Sequence, residues 1–133
     1  MAVIAVDKKM SGQANILRYT AEDFVVAPLT TGALKRQWVA PAKMRLRSVK
    51  VYSPAVGAGG TSTIIDVNKN GTTIFTTQAN RPTLLLANSG FYTIALPPEI
   101  VMFDEGDIIS YDVDQITTTG PANTSVSLEF TLV

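Results

Sequence analysis

The stretch Thr61-Ser62-Thr63-Ile64-Ile65-Asp66-Val67-Asn68-Lys69-Asn70-Gly71-Thr72-Thr73-Ile74-Phe75-Thr76-Thr77 restricts this chain more than any other. Two runs of Ile, Val, Thr and Phe flank a polar knot that ends in Asn-Gly. Branched and aromatic residues suit a pleated, half-buried surface. Asn and Gly tolerate the left-handed backbone that a tight reversal requires. The stretch is expected to form a β-hairpin whose loop has about four residues. Asp66, Asn68, Asn70 and Gly71 are its candidate turn residues.

The rest of the chain repeats this grammar in shorter phrases. Residues 2–6 read as a short strand. Residues 10–20 admit one helical turn, which Ser11, Gly12 and Asn15 weaken. Residues 24–27 form another strand candidate before Pro28. Residues 37–39 form a strand closed by Pro41. Residues 43–52 form a longer strand with a conflict of parity. Met44 and Leu46 share one face, while Val49 and Val51 have the opposite parity. With one buried face, a β-bulge at Arg47-Ser48 restores the register; with both faces partly covered, no bulge is needed. Short strands are expected near residues 84–86 and 91–96. The acidic turn Asp104-Glu105-Gly106-Asp107 leads into a strand with Ile109, Tyr111 and Val113 on one face. The final strand alternates, with Val126, Leu128, Phe130 and Leu132 directed inward. Eight to ten short strands separated by Gly, Pro, Asn and Asp turns are expected to form an all-β antiparallel β-sandwich, jelly-roll-like. Residues 35–133 would be the sandwich. Residues 1–34, which lack regular alternation, would be an extended N-terminal arm.

A chain of 133 residues is read as one domain, and it contains neither Cys nor His. Thiol chemistry and thiolate zinc sites are therefore excluded. The commonest general base and metal ligand is missing as well. No enzyme activity, cofactor or metal is expected. The net charge is zero but unevenly spread. Residues 1–50 carry nine basic and three acidic residues, and residues 82–133 carry seven acidic and no basic ones. The halves either pair across one sheet or offer complementary edges to neighbouring subunits. Nucleic-acid binding is not expected, because the balance is not basic and no motif is present. No apolar run is long enough to span a membrane. The apolar start, residues 1–6, is too short for a signal peptide, and its charges follow rather than precede it.

Asp66-Val67-Asn68-Lys69-Asn70-Gly71 matches the first half of a calcium loop. The twelfth position is Thr77 instead of the closing Glu, and strand-like residues flank the loop, so a hairpin is expected in its place. The glycines at 57, 59 and 60 lack the Lys-Ser/Thr of a phosphate loop. Asp112 and Asp114 share one strand face, as paired carboxylates for glycoside hydrolysis or calcium would. A polar strand face explains them without either. Trp38 reads as a core or interface anchor before a sugar platform.

Residues 65–75, then Asn80-Arg81-Pro82-Thr83, then Glu105-Gly106-Asp107 and Asp112-Val113-Asp114-Gln115-Ile116, resemble a module found in virion proteins of tailed bacteriophages. The resemblance covers about residues 45–133. It implies a structural protein that binds the outside of a phage capsid, a decoration or cement protein located in the virion. Its implied partners are the major capsid protein and copies of itself, as a homotrimer. Trp38, Arg36, Arg45, Arg47, Asp104 and Asp107 are the candidate interface residues. The alternative is a tail- or fibre-associated module that binds host cell-surface carbohydrate.

Overall fold

The computed structural model describes residues 2–7, 16–85, 92–94 and 97–133, with side chains over 17–85 and 97–133. Eleven strands follow in order among these: β1 (Ala2–Asp7), β2 (Ile16–Val25), β3 (Gly32–Val39), β4 (Met44–Tyr52), β5 (Gly60–Lys69), β6 (Thr72–Thr73), β7 (Thr83–Leu84), β8 (Tyr92–Ile94), β9 (Met102–Phe103), β10 (Ile108–Thr117) and β11 (Thr124–Leu132). A single 3₁₀ turn, Gln78–Asn80, lies between β6 and β7. None of the described helices is long and apolar enough to cross a membrane.

The strands form two antiparallel sheets. The first has the order β1-β2-β11-β4-β8, with β9 also on β4; the second runs β3-β10-β5-β6, with β7 also on β5. From β2 onward the chain alternates between sheets: β2 and β4 lie in the first, β3 and β5 in the second. It then takes β6 and β7 into the second, β8 and β9 into the first, β10 into the second and β11 into the first. The expected all-β sandwich holds, and its alternating path is jelly-roll-like.

The inner faces make one core. Met44, Leu46, Val49 and Val51 from β4 join Val126, Leu128 and Phe130 from β11. Ile65 and Val67 from β5 join Ile109, Tyr111 and Val113 from β10. Phe103 meets Phe130 edge-on at 5.4 Å between ring centres, and Tyr19 packs on the same ring at 5.8 Å. Of the two ways to resolve the parity conflict in β4, the structure takes the bulge. Glu129 pairs with Ser48 and Phe130 with Leu46, which leaves Arg47 as the extra residue. Both pairs of apolar residues therefore face inward.

Four expectations are corrected. The hairpin loop is shorter than four residues, because Lys69 pairs directly with Thr72 and Asn68 with Thr73. Asn70 and Gly71 alone make the reversal, with φ of 51° and 82°. Positive φ at both central positions gives the twist that antiparallel strands favour. Residues 16–20 are strand and not a helical turn, and residues 10–15 lie outside the described residues. The N-terminal segment is also not an arm as far as it is described. β2 pairs with β11 from Thr124↔Val25 to Thr131↔Arg18, and Tyr19 and Ala21 are buried in the core. Its hydrophobic periodicity is broken by Phe24, an exposed aromatic that shares the outer face with Arg18, Thr20 and Glu22. The expected strand at 84–86 begins at Thr83, Leu85 is exposed, and Leu86 lies outside the described residues.

Candidate functional site

The central strands of the second sheet carry polar residues on their outer face. Ile65 and Val67 point into the core, so Asp66 and Asn68 must point away from it. On β10, Ile109, Tyr111 and Val113 point inward, so Asp112 and Asp114 point outward. Antiparallel pairing sets Asp66 directly opposite Asp112. Carboxylate oxygens of Asp66, Asp112 and Asp114 all lie within 4.8 Å of one another.

Like charges at that spacing require partners, and each carboxylate has them. Asp66 Oδ1 accepts from the Val67 amide at 2.9 Å and from the Thr73 hydroxyl at 2.6 Å. Asp112 accepts from the Leu34 amide at 2.8 Å and from Asn68 Nδ2 at 2.9 Å. Asp114 accepts from the guanidinium of Arg81 at 2.5 Å. Arg81 also donates from Nε to the carbonyl of Gln78, which ties the segment between β6 and β7 to the sheet. The amide of Ile65 donates to the Pro82 carbonyl at 3.0 Å and closes the same strap. Asp66 is only 7 % exposed. Burial pushes its carboxyl above the ordinary range; the Thr73 bond opposes the shift and the negative charge of Asp114 adds to it. Three carboxylates are a donor set of the kind that holds a hard cation. Here they also act as a lock between β5, β10, the β3 edge and the strap.

No family model, curated protein or solved structure matches this chain.

The turn residues divide between two tasks. Asp66 and Asn68 belong to the carboxylate group within β5. Asn70 turns the other way: its Nδ2 donates to Asp107 at 2.9 Å and its Oδ1 accepts from the Ile108 amide at 2.8 Å. The half-match to a calcium loop therefore does not gather its oxygens at one point. The six interface candidates do not share one surface either. Trp38 is 7 % exposed and stacks on Tyr111, 6.3 Å between ring centres. Arg36 is exposed on β3, at the edge of the second sheet. Arg45 and Arg47 lie on the outer face of the first sheet, where Arg47 Nε donates to Thr131 Oγ1 at 2.8 Å. Asp104 is exposed in the acidic turn. Asp107 is held by Asn70, by the Asp104 amide and by Lys69 at 3.5 Å, and its carboxyl lies below the ordinary range, chiefly through the Asn70 bond.

The outer face of the first sheet has a feature that strand alternation alone does not reveal. Ser125 pairs with both Phe24 and Tyr52, so two aromatic rings flank a serine on one cross-strand row. Phe24 is 60 % exposed and Tyr52 40 %. The next rows hold Glu22, Ser127 and Lys50, then Thr20, Glu129 and Ser48. The signal is present in the parity of β2, where Phe24 is in step with Thr20 and Glu22 rather than with Tyr19 and Ala21.

Proposed function

We propose that this chain is a non-enzymatic virion protein that binds the outer surface of a phage head as a homo-oligomer, a trimer, and stabilises it. The observation that carries the reading is the outer face of β2, β11 and β4. It sets exposed Phe24 and Tyr52 at one end and Arg45 and Arg47 at the other, the mixture of aromatic anchors and arginines in which protein interfaces are enriched. The likeness of residues 45–133 to virion modules supports the setting. The jelly-roll-like path is compatible with it, since capsid domains use this fold; lectin domains use it too, so the fold alone does not choose. Repeated copies on a head would add avidity to weak single contacts.

Sedimentation of the purified chain, alone and with DNA-free heads, tests the reading. A trimer that pellets with heads is expected. Phe24→Ser combined with Arg47→Glu should leave the melting temperature near that of the parent and abolish pelleting. A monomer that leaves the heads bare would sink the proposal.

A further inference from the structure

At the edge of the sandwich, where β2 faces β3, lies a cleft of about 420 Å³ that the head-binding reading does not use. Asp23, Val25, Pro28, Thr30, Lys35 and Tyr111 are on its walls. A local irregularity in β3 builds one side. Gly32 pairs with Val113 and Arg36 with Tyr111, so β3 fits three residues against Asp112 alone. Leu34, within this bulge, has a φ of 52°, and its amide is pinned by Asp112 Oδ1. A bulky residue holds such a backbone only where its surroundings over-determine it, and such positions gather at ligand sites. Bulges also re-aim side chains beside binding sites. Here the half-buried Lys35 donates from Nζ to Thr30 Oγ1 at 2.9 Å. A Cβ on Gly32 would stand 3.2 Å from that ammonium, so glycine leaves it room.

The opposite wall carries the complementary group. Asp23 Oδ2 accepts from the Tyr111 hydroxyl at 2.7 Å. Burial, reinforced by Asp23, pushes the phenol's pKa far upward, so Tyr111 stays a donor, and the Asp23 side chain that accepts from it has two oxygens able to take further donors. Behind Tyr111, Trp38 stacks on the ring and makes the wall rigid.

An anion meets repulsion from Asp23, and a cation meets it from Lys35. A hydroxyl group both donates and accepts, so neighbouring hydroxyls satisfy both walls, while Val25 and Pro28 cover the C–H faces between them. We propose that this cleft binds a saccharide residue, its vicinal hydroxyls bridging the Asp23 carboxylate and the Lys35 ammonium. The site is independent of any head-binding role.

The test is an NMR titration of the full chain with D-glucose, D-galactose, L-rhamnose and N-acetyl-D-glucosamine, each added separately. At least one is expected to give saturable shifts centred on the amides of Thr30, Lys35 and Tyr111. Lys35→Ala should weaken that binding tenfold or more at an unchanged melting temperature. Asp23→Asn keeps an acceptor for Tyr111 and removes the charge, and it should weaken binding in the same way. Shifts with none of the four sugars, shifts centred on Phe24 and Tyr52, or parental affinity in both variants would overturn the proposal.

Discussion

Gly71 closes the central hairpin with a φ of 82°. A Cβ built there meets nothing within 4 Å, so substitution acts through the backbone alone. Gly71→Val is expected to cost roughly 1–2 kcal/mol, measured by urea denaturation; an unchanged midpoint would contradict the turn. Its conformation is legible in the sequence, because an Asn-Gly pair between two strand-like runs demands positive φ. Arg47 is half legible: the parity of the four apolar residues around it demands a bulge only if one face is buried, and the pairing with β11 decides that. Arg81 is not legible. Its partner Asp114 is 33 residues away, and strand alternation carries no information about pairs between a strap and a sheet face. Asp66 has a consequence for pH. A carboxyl whose folded pKa lies above its unfolded value contributes stability that is full below the unfolded value and lost as pH rises through the folded one. Asp66→Asn removes that dependence. Denaturation midpoints from about pH 4 to about pH 7 should show the variant gaining on the parent as pH rises. A gap that stays constant, or moves toward the parent, would mean that burial does not control this group.

Among the elements, the strongly alternating strands β10 and β11 are readable because each buries one face and leaves the other polar. β2 is not, because it combines an inner face of Tyr19 and Ala21 with an outer face that includes exposed Phe24, which breaks the two-residue rhythm. Its place between β1 and β11 rests on long-range pairing, from Val25 with Thr124 to Arg18 with Thr131. The N-terminal segment is accordingly part of the body. Deleting residues 1–20 removes β1, the first half of β2 and the Tyr19 ring that packs on Phe130. The truncated chain is expected to lose cooperative unfolding by circular dichroism. A sharp transition near the parental temperature would restore the view of this segment as a detachable arm. The carboxylate group lies at the same scale: each strand's polar face is visible in the sequence, but the register that joins Asp66 to Asp112 is not.

For the molecule as a whole, the sandwich leaves two surfaces with different chemistry. The outer face of the first sheet combines aromatic rings with arginines and suits a flat protein partner. The edge cleft combines a carboxylate with an ammonium and suits a hydroxylated ligand. The many short strands separated by Gly, Pro, Asn and Asp turns make the sandwich readable in the sequence, whereas no local pattern could locate the outer face that β2, β11 and β4 assemble. Immunogold electron microscopy of intact virions, with antibody raised against this chain, addresses the proposed role at its source. Gold distributed over the head surface, and absent from heads of virions that lack the protein, is the expected result. Gold confined to the tail or its fibres would contradict head decoration.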